Sequence, residues 1–272
     1  MIQINLIGAG RVGQTWITLI QPLHNYSLQA ICHGRENKAK IAEFPAADLF
    51  FITVPDDHIA ETAKIVCQHH RNTTLIHCSG SLPASILNRE NRVDIQVASI
   101  HPLISIANPK KTAANFAGTI CTLEGDSAAL ETISALFNAL GAELHVIDAH
   151  QKPAYHAASC LAANYLVTLA DMACQQFVTA KIDKITAKRM TEQLMQSVMD
   201  NSTDKDNHNT ILTGPIARGD QQTIKNHLTA LKPGLKEIYC ALGKQTVEIA
   251  DLSHEKKALI LSLFNHTESS IN

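Results

Sequence analysis

Gly8-Ala9-Gly10-Arg11-Val12-Gly13 follows directly on the apolar run Ile2–Ile7 and leads into a helix-compatible segment that begins at Gln14. Each glycine has its own physical reason. Gly8 permits a tight turn from strand to helix, Gly10 lets backbone approach a pyrophosphate with no Cβ in the way, and Gly13 allows close packing of helix on strand. The helix that follows aims unpaired N–H groups at phosphates. With a strand before it and a helix after it, this G-x-G-x-x-G reads as a dinucleotide-binding fingerprint. Gly8, Gly10, Arg11, Val12 and Gly13 are its candidate pyrophosphate residues.

The nucleotide is read about 20 residues further on, where NAD-binding domains place an acid on the ribose 2′-OH. Here the second strand, Ser27 to Cys32, ends without Asp or Glu. The loop after it carries His33-Gly34-Arg35-Glu36-Asn37-Lys38. A guanidinium at Arg35, helped by Lys38, suits a 2′-phosphate through charge-assisted hydrogen bonds. NADP(H) is therefore expected, with Glu36 able to reach a 2′-OH if the loop folds otherwise.

Composition narrows the classes. The chain has 272 residues, 45% hydrophobic and 18% charged, with a formal net charge of −2. That balance offers no electrostatic footprint for nucleic acid or an anionic membrane. Met1 runs straight into the first strand, and no apolar stretch stands out as long enough to span a bilayer, so a cytoplasmic protein is expected. The seven cysteines are scattered without a C-x-x-C pair and read as reduced thiols. Fourteen histidines raise the question of a metal, but no H-x-x-x-H occurs and His69-His70 diverge on a helix, so none is expected.

Up to about residue 150, short apolar runs alternate with amphipathic stretches, the pattern of a doubly wound, mostly parallel α/β sheet with helices on both faces. Strands are predicted at 48–54, 74–78, 95–100, 119–123 and 143–147 in addition to the first two. Beyond Asp148 the strand-like runs disappear. A long apolar helix is predicted over 153–177, with Pro153 in its first turn, then helices over 183–199, 220–231 and 235–250 and a polar loop over 200–209. The expected organisation is a nucleotide-binding Rossmann domain, 1–150, and an all-α domain, 151–272.

Ligands of doubly wound sheets sit beyond the carboxyl ends of the strands. After the third strand, Val54 and Pro55 are placed to pack on the cofactor, and Asp56 to cap the next helix. After the fourth comes His77-Cys78-Ser79-Gly80-Ser81, where the Ser79 hydroxyl either bonds a substrate oxygen or caps a helix near Pro83. The fifth strand delivers His101, in the right range for proton transfer or for holding substrate. On the long helix Lys152, His156, Cys160, Asn164 and Thr168 recur every fourth residue and form one stripe. Reduction of a ketone needs a proton for the developing alkoxide, which Lys152 or His156 can give, and donors such as Asn164. Tyr155 is a further acid but projects about 100° from His156. The alternative is that the polar groups of this helix are satisfied internally. Late in the chain Arg218, flanked by turn residues, suits capture of a carboxylate, and Asp220 caps the next helix.

Taken together, the fingerprint, T-V-P-D, H-C-S-G-S, H-P-L, Y-H-A-A-S-C-L-A-A-N-Y-L-V and L-T-G-P-I-A-R-G-D resemble the Rossmann-like oxidoreductases that carry a helical C-terminal domain of unknown function. That group is similar in architecture to pyrroline-5-carboxylate reductase, 6-phosphogluconate dehydrogenase and ketopantoate reductase. The resemblance implies an NADP- or deazaflavin-linked oxidoreductase, here expected to act on a small carbonyl acid with NADP(H), a homodimer with its site between the domains, and for some members ketopantoate reduction in pantothenate synthesis. Imine reduction or NADP(H) sensing without turnover are the alternatives. One departure stands out: the Lys-x-x-x-Asn pair of 6-phosphogluconate dehydrogenase and ketopantoate reductase appears here as Lys152 followed by His156, with Asn164 two turns later.

Overall fold

Strand β3 (Leu49–Ile52) is buried at all four positions. Its alternation sends Leu49 and Phe51 to one apolar cluster and Phe50 and Ile52 to another. A strand of this kind needs a packed layer on each face. The computed structural model, which describes residues 1–33, 38–90, 92–202 and 211–265, supplies both layers. Around β3 lie β1 (Ile2–Ile7), β2 (Tyr26–Cys32), β4 (Thr73–His77), β5 (Ile95–Pro102), β6 (Ile120–Gly125) and β7 (Glu143–Val146). They form one sheet in the order β2-β1-β3-β4-β5-β6-β7. Neighbours are parallel except β5 and β6, which run antiparallel.

The helices of this part are α1 (Arg11–Ile20), α2 (Lys38–Ala42), α3 (Asp56–His69), α4 (Pro109–Ala114), α5 (Ser127–Ala139) and α6 (Lys152–Ala162). On one face Trp16 of α1 and Phe137 of α5 pack with Phe116 and Phe51, the indole meeting Phe116 edge to face at 5.4 Å. On the other, Ile59, Ala63 and Val66 of α3 cover Phe50 and Ile52. Each such large apolar side chain contributes about 1.5–3 kcal/mol on burial. The strand order reverses at β1, so the loops after β1 and β3 lie side by side at the switch point where doubly wound folds bind ligands.

The chain divides into two compact units, Met1–Tyr165 and Leu166–Asn272. The change of sequence pattern had set the boundary near residue 150, whereas α6 belongs with the sheet because its first residue, Lys152, is buried against it. The single helix expected over 153–177 is two, α6 and α7 (Asn164–Thr179), separated at Ala163. The helical run Ala149–Thr179 has a window of mean hydropathy 1.3 and, by length and composition, is long and apolar enough to cross a membrane, contrary to the sequence reading.

The remaining helices are α8 (Lys184–Ser202), α9 (Pro215–Arg218), α10 (Gln221–Ala230), α11 (Pro233–Ile249) and α12 (His254–Asn265). Ile224, Cys240, Val247, Ile260 and Phe264 form the core of α10–α12. A Cβ on Gly243 would come within 2.5 Å of the Phe264 ring, so glycine is what lets α12 seat there. No helix was predicted at α12. The loop expected over 200–209 is helical through Ser202, and its residues from 203 onward lie outside the described ones.

Candidate active site

The turn between β1 and α1 is held from below. Thr53 at the end of β3 donates from Oγ1 to the Gly8 carbonyl at 2.7 Å, and Gly8 has φ +106°, a conformation that L side chains rarely adopt. A Cβ on Gly8 would lie 2.6 Å from the Thr53 carbonyl carbon and one on Gly13 would lie 2.3 Å from the Gly8 carbonyl oxygen. These two glycines are required by the protein's own packing. Gly10 differs, because a Cβ there meets nothing within 4 Å. It is the N-cap of α1, it offers no side-chain cap, and the first turn carries no acid. The positive end of the helix dipole thus opens on free space, as an anion site requires.

Val54 and Pro55 follow in the loop after β3, with the Val54 amide packed at the Gly8 α-carbon. Asp56 is not a cap. Pro55 occupies the N-cap position of α3, and the Asp56 carboxylate reaches across to accept from the Ser79 hydroxyl at 2.7 Å and the Ser81 hydroxyl at 3.0 Å. Ser79 Oγ in turn accepts from the backbone N–H of Ser81 and Leu82, so it fixes a turn rather than capping the 3-10 helix Ala84–Leu87, whose N-cap is Pro83. Beneath it the fully buried His77 accepts the Ser79 N–H on Nδ1, which leaves Nε2 to donate to the Pro83 carbonyl. Burial holds this imidazole down at about 4, so it stays neutral.

Lys152 is 1% exposed. Its Nζ donates to Ser99 Oγ at 2.7 Å and to the Ser79 carbonyl at 3.2 Å, and it pairs with Glu124 at 3.7 Å. Burial lowers the lysine and raises Glu124, the pairing opposing both shifts. Glu124 also accepts the Ala84 N–H. The antiparallel register puts Ser99 of β5 directly beside Glu124 of β6, so the ammonium sits over a prepared pair. Neither Ser99 nor Glu124 was singled out from sequence, because the reversal of β6 cannot be read from its residues.

His101, Tyr155 and His156 form a second group. His101 Nδ1 lies 2.7 Å from the Tyr155 hydroxyl, and its ring is edge to face with those of Tyr155 and His156 at 5.6 and 6.1 Å. Gly80 makes this possible: a Cβ there would lie 2.7 Å from the His156 ring and 2.9 Å from His101 Nε2. Burial first, then His156 and Lys152, lower His101 to about 4. The His156–Cys160–Asn164 stripe is realised, with Nδ1 to Sγ at 3.9 Å and Asn164 Nδ2 to Sγ at 3.7 Å.

A cavity of about 720 Å³ joins the two regions. Arg11 and Val12 of the fingerprint line it together with His101, His156, Ser159, Cys160 and Asn164. Cys78 also borders it, its thiol accepting the Trp16 indole N–H and pushed up to about 12 by burial, an inert group. Lys152 and Ser79 do not border this cavity. Arg218 lies in the second unit at the end of α9, before Asp220, which caps α10 as expected by accepting from the Thr223 N–H. Arg35 and Glu36 lie outside the described residues, as does the Lys38 side chain.

Comparison with known proteins agrees with this fold. Residues 119–246 match the family model for a domain of unknown function, DUF2520. The matched segment begins at β6 and runs into α11, and it includes Lys152, Tyr155, His156, Asn164 and Arg218. Among solved structures the chain is similar to protein TM1727 from Thermotoga maritima, with 22% identity, 98% of each chain covered and a TM-score of 0.65. It is also similar to a protein from Bacteroides fragilis, provisionally described as an NADP oxidoreductase, with 17% identity, 90% of this chain and 97% of that one covered and a TM-score of 0.74. Pyrroline carboxylate reductase from Plasmodium falciparum, solved with NADP bound, shares 12% identity over 98% of this chain and 97% of its own, with a TM-score of 0.58. These likenesses establish a Rossmann-like domain followed by a helical one. No curated protein matches the chain in sequence.

Proposed function

We propose that the chain is a reductase that uses a nicotinamide dinucleotide, NADP(H), on a small carbonyl acid, with conversion of 2-dehydropantoate to pantoate as the leading reaction. The observation that carries this reading is the single cavity lined both by Arg11 and Val12 at the entrance of α1 and by the imidazoles of His101 and His156. The turn fits the cofactor, because the one fingerprint glycine that the protein's packing does not require is Gly10, where a pyrophosphate would lie. Gly8, Gly10, Arg11, Val12 and Gly13 would hold that group, Val54 and Pro55 flank it, and Arg35 is assigned to the 2′-phosphate. When bound, the nicotinamide supplies the hydride.

The chain's own residues then have distinct tasks. The imidazoles of His101 and His156 and the side chain of Asn164 line the cavity where the substrate is assigned. Donors in place before reaction stabilise the negative charge that grows on a carbonyl oxygen. Lys152 holds the loop after β4 through the Ser79 carbonyl and Ser99, and Asp56 holds the same loop through Ser79 and Ser81. The lysine is therefore assigned to positioning, with His156 the first candidate for proton delivery.

Reduction of a cyclic imine acid is the second reading, favoured by the neutrality of His101. An iminium substrate arrives with its own proton and needs no strong acid, and similar folds include pyrroline carboxylate reductases. The test is oxidation of NADPH and NADH by the full chain with 2-dehydropantoate, other 2-oxo acids and 1-pyrroline-5-carboxylate. Turnover with a keto acid supports the leading reading and turnover only with the imine supports the second. NADPH binding without turnover on any of them replaces both by a nucleotide sensor.

A further inference from the structure

Tyr155 is in neither the fingerprint nor the polar stripe of α6, yet its hydroxyl lies 2.7 Å from His101 Nδ1. That contact occupies one ring nitrogen. The ring edge that carries the other nitrogen, Nε2, packs at Gly80, where a Cβ would come within 2.9 Å of it, and His101 itself borders the cavity. Nε2 is thus the polar atom this imidazole has left to offer.

A neutral imidazole carries one N–H and one lone pair, and the partner of one nitrogen decides the state of the other. A phenol is a stronger acid than an imidazole N–H, and an imidazole nitrogen is a stronger base than a phenol oxygen. Of the two possible polarities, O–H donating to Nδ1 is therefore the stronger bond. Burial keeps both groups uncharged, raising Tyr155 and lowering His101 to about 4. The other charged or titratable groups acting on His101 are His156 and Lys152 of α6, which oppose its protonation, and Asp56 of α3, which favours it.

We propose that Tyr155 is a positioning residue whose phenol donates to Nδ1 of His101, holding the imidazole in the tautomer that carries its proton on Nε2 and so presents a fixed N–H to an oxygen of the substrate. The identity of that oxygen rests on the reductase reading, whereas the tautomer is a property of the chain alone. An Nε2–H cannot accept a proton from an alcohol. It can donate a hydrogen bond to a carbonyl oxygen as negative charge develops there, so the pair suits oxyanion stabilisation and leaves delivery of the proton to another group.

The test is long-range proton–nitrogen NMR of the imidazoles in the ¹⁵N-labelled full chain, with the His101 signals identified by their loss in His101→Gln. The expected result is Nε2-protonated, neutral His101 at neutral pH and a mixed tautomer in Tyr155→Phe. On the best substrate found, that variant should lose about tenfold in kcat with KM changed by less than about twofold. A proton on Nδ1 in the unmodified chain overturns the proposal, and so does a tautomer unchanged in Tyr155→Phe. Should Tyr155→Phe not fold, the unmodified chain's spectrum still decides. If no substrate is turned over, the reductase reading fails while the spectra continue to test the tautomer.

Discussion

Replacing Lys152 by Met separates the two roles a lysine can have at this site. The side chain is 1% exposed, and its ammonium is engaged by Ser99, the Ser79 carbonyl and Glu124. Methionine fills a similar volume but removes the cation, leaving the buried Glu124 carboxylate with only the Ala84 N–H. Removing one partner of a buried ion pair costs about 3–5 kcal/mol, and losing the donors to Ser99 and Ser79 acts in the same direction. Glu124→Gln should cost less, since the amide oxygen can keep the Ala84 bond. The double variant should recover at least about 1 kcal/mol relative to the sum of the singles, because the two residues share a partner network. The assay is urea unfolding followed by tryptophan fluorescence: the chain has one tryptophan, Trp16, and it is fully buried in the sheet unit, so the signal reports that unit. A Lys152→Met chain within about 0.5 kcal/mol of the original would refute the structural assignment. Lost turnover at unchanged stability would return the lysine to the chemistry.

Other consequences follow from the same geometry. His77 and His101 are held at about 4 against 6.5 in the unfolded chain, so between those values the unfolded state binds more protons and stability falls as pH drops. The fully buried His77 accounts for about 3 kcal/mol of this, with His101 adding less, and Trp16-detected unfolding with an equal midpoint at pH 7 and pH 4 would contradict it. Gly80→Ala forces the His101 and His156 rings apart by placing a methyl 2.7–2.9 Å from them. The expected outcome is a loss of about tenfold or more in turnover, with about 1–3 kcal/mol of destabilisation, read by steady-state kinetics beside urea melts. Gly8→Ala meets backbone at 2.6 Å with φ +106°, and circular dichroism should show a chain that is unfolded or poorly folded.

Much of the fold was legible because its signals are local. The all-buried Leu49-Phe50-Phe51-Ile52 run and the glycine turn each carry their meaning within a few residues. The break at Ala163 was not, since alanine is a good helix former and the only local hint is the Asn that starts the next helix. The candidate site was legible as a set of loops but not as a set of partners. Asp56 looked like a cap and instead binds two serines of the neighbouring loop, a contact set by the pairing of β3 with β4. Tyr155, a further candidate acid by sequence, projects away from His156 on the helix, yet the His101 ring packs edge to face on both of them. Glu124 acquires its role from the antiparallel turn of β6, which depends on the whole sheet.

Nucleotide binding at the entrance of α1 is the central claim, and Gly10→Ala tests it most directly. A Cβ at Gly10 meets no protein atom within 4 Å and the backbone there has φ −74°, so the fold should survive the change nearly intact. Calorimetric titration of NADPH and NADH into the unmodified chain should show saturable binding with NADPH the tighter, and Gly10→Ala should weaken it at least about tenfold while its unfolding midpoint stays close to the original. Absence of binding to the unmodified chain, or equal affinity in the well-folded variant, would contradict the account.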